Sequence, residues 1–226
     1  MNGILLVNKP TGWTSFDVVA KIRAVCSVQE RKKVKVGHTG TLDPLAEGLL
    51  IILIGDYCKK AQEYSKLSKS YSCAIKLGQI STTDDQEGEK VTISNKKPSL
   101  VEINKVLKTF VGKTEQTPPN FSAIKIDGKR AYKLAREGKE VDIKPKTVEI
   151  YSISNVKYSY PNLLFDAEVS SGTYIRALAR DIGQKLKTGA YMINLRRISI
   201  DKYSVNNAIT PVDINIDTIK IHLLTG

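Results

Sequence analysis

The chain has 226 residues, 41% hydrophobic and 26% charged, the balance of a globular protein with a sizeable core and not of a disordered one. Lys+Arg number 35 against 23 Asp+Glu, a net charge of +12, which points to a polyanion partner, nucleic acid before membrane surface. The longest aliphatic run, Leu49 to Ile54, is far too short to span a bilayer, and the start of the chain lacks the basic-then-apolar pattern of a secretory signal.

Gly3 to Asn8 reads as a short apolar strand, ended by the turn signal Lys9-Pro10-Thr11-Gly12. Thr14 to Ser27 reads as a helix. Thr14 and Asp17 are placed as a capping box, and Val18, Ile22, Val25 and Cys26 keep helical spacing. Arg31-Lys32-Lys33 is a basic loop, and Leu49 to Ile54 a buried strand. Lys69 to Leu77 alternates, with Tyr71, Cys73, Ile75 and Leu77 on one face. Ser81 to Glu89 is polar and acidic and is expected to be an exposed loop. Ser99 to Phe110 reads as a helix capped by Ser99 and Glu102, and Arg130 to Glu137 as a short helix ended by Gly138. Val148 to Tyr158 and Leu163 to Ser170 read as strands. Thr173 to Lys187 is an amphipathic helix, its stripe formed by Ile175, Leu178, Ala179, Ile182 and Leu186 and its end set by Gly189. Tyr191 to Ile200 is a further strand. The residues after Tyr203 are expected to add a strand or a short cover. This irregular mixture predicts an α+β fold, with a mostly antiparallel mixed sheet flanked by helices.

Several chemistries are excluded. His38 and His222 are the two histidines, and no Cys/His cluster suits zinc. Gly112-Lys113-Thr114 imitates the end of a P-loop, but Leu107 stands where its first glycine belongs. Neither G-x-G nor G-x-S-x-G occurs. Cys26, Cys58 and Cys73 are widely spaced and read as buried thiols of a reducing, cytoplasmic setting.

The most unusual segment is Gly37-His38-Thr39-Gly40-Thr41-Leu42-Asp43-Pro44-Leu45-Ala46-Glu47-Gly48. Pro44 keeps Asp43 out of helical geometry, so a carboxylate stands on a stiff loop beside Leu42 and Leu45. On residue chemistry alone Asp43 is either a turn aspartate or a nucleophile or base. The chain carries further segments in order. Lys9-Pro10-x-Gly12-x-Thr14-Ser15 precedes the Asp43 segment. Lys69-Ser70-Tyr71, Gln116 to Lys125, Gly128 to Tyr132, Ala135 to Gly138, Ser171 to Arg176 and Leu195-Arg196-Arg197 follow it. Together they resemble the TruB family of pseudouridine synthases, from residue 3 to about 205.

The resemblance implies a pseudouridine synthase catalytic fold that isomerises a uridine in RNA, most often uridine 55 of the transfer-RNA T loop. It implies no metal and no cofactor. The same chemistry on ribosomal or messenger RNA, or an RNA-folding chaperone, are the alternatives. Asp43 matches the catalytic aspartate, which either forms a covalent adduct or removes a proton from C2′. Arg176 matches the arginine that pairs with it, and Tyr71 the active-site tyrosine. Tyr174 and Leu195 match residues lining the uracil pocket, and His38 a histidine set against the RNA or the target base. Without the family, Arg176 reads as a solvated helix cation, Tyr71 as core, and His38 as a residue bonding its own turn.

Lys9, Lys125, Lys129, Arg130, Lys133 and Arg136 are candidates for the RNA backbone, the last five lying in a basic segment with interleaved aromatics. Glu47 departs from the family's usual small or neutral residue and brings a negative charge near Asp43. The expected organisation is one catalytic domain over 1–226, with an RNA-contacting insertion near 116–140 and a short cover at 204–226. No PUA-type domain is expected. The expected partner is the T-arm of tRNA, met by a monomer without a membrane.

Overall fold

The computed structural model describes residues 1–122, 124–126, 128–131, 134, 137 and 143–225, with the backbone described at 125, 126, 129 and 130. The chain divides into two compact units, Met1–Ser72 with Leu195–Gly226, and Cys73–Asn194. The first unit opens with β1 (Gly3–Lys9), α1 (Ser15–Glu30), β2 (Val36–His38), β3 (Glu47–Ile54), a 3-10 turn and α2 (Ala61–Ser65). Strand β4 (Lys69–Leu77) carries the chain into the second unit. There follow β5 (Gln79–Ser81), β6 (Lys90–Thr92), α3 (Leu100–Lys108), β7 (Gly112–Gln116), β8 (Lys125–Ile126), β9 (Lys129–Arg130), β10 (Lys146–Ser159), β11 (Asn162–Val169) and α4 (Ile175–Leu186). Strand β12 (Ala190–Ile200) returns to the first unit, which closes with β13 (Tyr203–Ser204), two 3-10 turns and α5 (Ile216–His222).

In the first unit β1 and β3 pair antiparallel from Gly3–Ile54 to Lys9–Gly48. The other edge of β3 is shared. Antiparallel β2 takes its end, His38 opposite Ile52, and parallel β12 takes its start, Arg196 opposite Glu47 and Arg197 opposite Gly48. Alternate residues of β1 and β3 enter two cores. Leu5, Val7, Leu50 and Ile52 pack with Val18 and Ile22 of α1 and with Ile209, Ile214 and Ile219. Ile4, Leu6, Leu49 and Ile51 pack with Ile200 and Val205. A strand buried on both faces has no polar side, which explains the unbroken run Leu49–Ile54. The outer edge of β1 is covered by bridges to Ile209 and Leu224, as an unpaired edge requires. The segment after Tyr203 is therefore more than a cover, because it supplies core residues and a helix.

Helix α1 starts at the expected box. Asp17 N–H donates to Thr14 Oγ1 at 3.1 Å and Thr14 N–H to Asp17 Oδ2 at 2.8 Å. It runs three residues beyond Ser27, to Glu30, and ends on Arg31 in the left-handed region, φ 50°.

In the second unit the strand order is β4–β11–β10–β7. Strands β10 and β11 form an antiparallel hairpin, and β7 pairs antiparallel with β10. The alternation of β4 is met residue by residue. Ser99 and Glu102 cap α3 reciprocally. Helix α4 buries Ile175, Leu178, Ala179, Ile182 and Leu186, and Lys187 rather than Gly189 is its left-handed cap. Gly183 is required in this helix, because a Cβ there would lie 2.2 Å from the Ala190 nitrogen. Antiparallel pairing dominates within each unit, with helices against the strands, the α+β arrangement expected. The expected helix Arg130 to Glu137 and its stop at Gly138 fall largely outside the described residues. Among the described residues no helix is long and apolar enough to cross a membrane.

Candidate active site

In the first unit the two residues flanking Asp43 are fixed by the segment after β1. Ser15, at the first turn of α1, is buried and faces Leu42. Leu42 N–H donates to Ser15 Oγ at 2.8 Å, and the Ser15 hydroxyl donates to Leu42 O at 3.0 Å. On the other side Pro44 O accepts from Gly12 N–H at 2.8 Å. Lys9 Nζ reaches the same carbonyl at 3.4 Å and also donates to Pro10 O at 2.9 Å and Trp13 O at 2.6 Å. Ala46 N–H closes the turn onto Asp43 O at 3.0 Å. Leu42, Leu45 and Ala46 are buried while Asp43 is half-buried, so buried neighbours hold a carboxylate that solvent reaches.

Lys9 is fully buried. A side chain so placed does not meet a phosphate at the surface, which corrects its reading as an RNA-backbone contact. Burial brings its ammonium down to about 8, against the opposing pull of Asp43. Its carbonyl partners explain how a lysine is tolerated there.

A second buried cation supports the start of the loop. Arg197, 1% exposed, donates from Nε to Leu49 O at 2.7 Å and from Nη2 to Gly40 O at 3.0 Å. Close backbone approach here demands Gly48. Its φ is +106°, and a Cβ would stand 2.3 Å from Arg197 O. Lys69 is also buried and donates to Ser65 O at 3.0 Å and Leu67 O at 2.5 Å. Burial first and Arg197 second bring it to about 8. His38 Nδ1 accepts from Gly40 N–H at 3.4 Å. Burial, then Arg197, lowers its pKa, so the ring is mostly neutral at pH 7. Glu47 pairs with Arg196, its Oε1 2.9 Å from Arg196 Nη1. Tyr71 on β4 and Leu195 on β12 are both 7% exposed.

The second unit carries Tyr174 and Arg176. The side chain of Gln116 clasps the start of α4. Its Oε1 accepts from Tyr174 N–H at 2.8 Å and its Nε2 donates to Tyr174 O at 3.1 Å. Arg176 is buried, not a solvated cation. Its Nη1 lies 3.3 Å from Asp85 Oδ2 and donates to Thr83 O at 3.2 Å, while Nη2 donates to Phe121 O at 3.0 Å. Arg180, one turn on, pairs with Asp84 at 3.0 Å. Burial raises the Asp84 carboxyl against the pull of Arg180.

The segment Ser81 to Glu89 is thus not simply exposed, since Asp85 is 3% exposed beneath Arg176. The readable signal was two adjacent aspartates facing two arginines four apart. Ser15, Lys69 and Arg197 stood inside the resembling segments without a role. Of the basic segment, β8 and β9 pair as a short hairpin, Lys125 opposite Arg130 and Ile126 opposite Lys129. Lys133 and Arg136 lie outside the described residues.

Residues 27–175 match the TruB family pseudouridylate synthase N-terminal domain. The chain belongs to the TruB family. Residues 176–219 match the C-terminal domain of tRNA pseudouridylate synthase B. The tRNA pseudouridine synthase B of Parabacteroides distasonis is 44% identical over 214 residues, 94% of this chain and 91% of that protein. That of Clostridium novyi is 41% identical over 225 residues, 100% of this chain and 76% of that protein. Among solved structures, a chain of a Cbf5-Nop10-Gar1 complex superposes with a TM-score of 0.71 at 28% identity over 93% of this chain. This TruB-family chain spans about half of that one, 53%.

Proposed function

We infer that the chain isomerises uridine to pseudouridine in transfer RNA, the activity its relatives are named for, at uridine 55 of the T loop and with Asp43 as the reacting carboxylate. The observation that carries this reading is the clamping of Leu42 and Pro44 by Ser15, Gly12 and Lys9, which presents Asp43 from a loop hydrogen-bonded on both sides of it. Catalytic groups need such preorganisation. The reaction breaks N1–C1′, turns the base and joins C5 to C1′. The C5 proton leaves to solvent and N1 takes one up, so no oxidant is needed.

Asp43 serves as nucleophile, or as base toward C2′. Tyr71, Tyr174 and Leu195 supply aromatic and aliphatic surface for a base taken out of its stack. The family pattern gives Arg176 the part of partner to the reacting carboxylate, and within its own unit its guanidinium is held by Asp85, Thr83 and Phe121. Neutral His38 offers a hydrogen bond to RNA.

The test is release of tritium from C5-labelled uridine in a T-arm-containing tRNA transcript. Asp43→Asn keeps the shape but neither attacks nor takes a proton. Its single-turnover rate is expected to fall at least about a thousandfold while tRNA affinity stays within about threefold. Turnover by a clean Asp43→Asn preparation refutes the role of Asp43. Pseudouridine mapped elsewhere than position 55 refutes the target.

A further inference from the structure

The basic loop after α1 is not used by the site above. Arg31 turns the chain in the left-handed region, and the residues beyond it are anchored. Val34 is buried, its N–H donating to Ser27 Oγ at 3.2 Å, and Lys35 O accepts from Gly55 N–H at 2.8 Å. Lys32, Lys33 and Lys35 are exposed from this fixed backbone. They line a cleft of about 320 Å³ with Lys59, Asp56, Glu30 and the N-terminal ammonium.

Its two carboxylates are already engaged. Glu30 lies 2.9 Å from the N-terminal ammonium and Asp56 2.8 Å from Lys59 Nζ. Glu30 also feels Lys32 and Asp56 feels Lys35, yet five cationic groups against two carboxylates leave the cleft with an excess of three positive charges. Such an excess on an ordered concave surface forms a site for anionic oxygens. The cleft also has a fixed relation to the Asp43 loop within the same unit. The three residues of β2 separate Lys35 from the stretch after His38, about 13 Å at the rise of an extended chain.

We propose that this cleft is a second RNA-binding site, gripping the phosphate backbone of the substrate at a distance from the target uridine. It rests on the reading of the chain as an RNA isomerase. Phosphate contacts of this kind supply affinity and register but no base specificity.

The experiment compares wild type with Lys32→Ala/Lys33→Ala/Lys35→Ala and with a control, Lys105→Ala/Lys108→Ala/Lys113→Ala, which removes the same charge from other exposed positions. Binding of a tRNA transcript is measured across a salt series, and the single-turnover rate at saturating enzyme. The cleft variant is expected to flatten the log–log salt slope by about two to three units and to weaken binding at least about tenfold at low salt. Its saturating rate should stay within about twofold of wild type, and the control should hold its slope within about one unit. An unchanged slope in the cleft variant, or an equal loss in the control, overturns the proposal. A wild type that binds tRNA with the cleft-dependent slope yet converts no uridine sinks the isomerase reading and leaves the cleft standing.

Discussion

Asp43 owes its position to residues on both sides of it in space, and Lys9 is the most consequential of these. Its ammonium ties the Pro44, Pro10 and Trp13 carbonyls together, at the cost of its own hydration. The sign of the pH effect follows. Its pKa is about 8 when folded and 10.5 as an ordinary lysine. Between those values the unfolded chain holds the proton more tightly, so stability rises with pH. Wild type is therefore expected to gain on Lys9→Met by on the order of 2 kcal/mol as pH climbs from about 8 to 10. Urea midpoints of both proteins at several pH values check this, and a constant difference would show that Lys9 does not titrate there. Read from its neighbours alone, a lysine before Pro-x-Gly is a surface residue. Pro44, 35 residues away, supplies one of the carbonyls that bury it.

Elements with a clean period were legible, and elements joined by distant partners were not. The capping boxes at Thr14 and Ser99, the alternation of β4 and the stripe of α4 each lie within a dozen residues, so the sequence shows them directly. Segment 81–89 is the opposite case. Its acidic composition matches a solvated loop, yet Asp84 and Asp85 answer arginines more than ninety residues later. Asp85 also accepts from Thr83 Oγ1 at 2.5 Å and from Glu87 N–H at 3.0 Å, so it organises its own loop as it meets α4. Asp85→Ala is expected to lower stability by about 2–4 kcal/mol, since losing one partner of a buried ion pair leaves the other poorly compensated. Hydrogen exchange should speed first at the 82–89 amides. Unchanged protection there would mean that the loop is held by its backbone alone.

At the scale of the molecule, the resembling segments marked the candidate residues, but not the contribution of the last thirty residues. Ile209, Ile214 and Ile219 recur every five residues, a spacing of neither helix nor strand, and so read as a cover. They are core partners of Leu5, Val7, Val18 and Ile22. A chain stopped after Ser204 should expose that cluster. It is expected to be recovered mainly in the insoluble fraction, and its soluble remainder to bind an apolar dye. A truncated protein that melts cooperatively like the full chain would contradict this.

The discontinuity of the first unit also sets an order of events on the ribosome. Residues 73–194 form a contiguous unit that emerges whole, whereas Met1–Ser72 must await Leu195 onward. At a synthesis rate of about 5–20 residues per second, the apolar strand β3 waits roughly 8–30 seconds for Ile209, and β1 roughly 10–40 seconds. Residues 73–194 are thus the part able to mature before the first unit closes. The segment that presents Asp43 is left with aliphatic surface to be shielded until Ile209 has emerged.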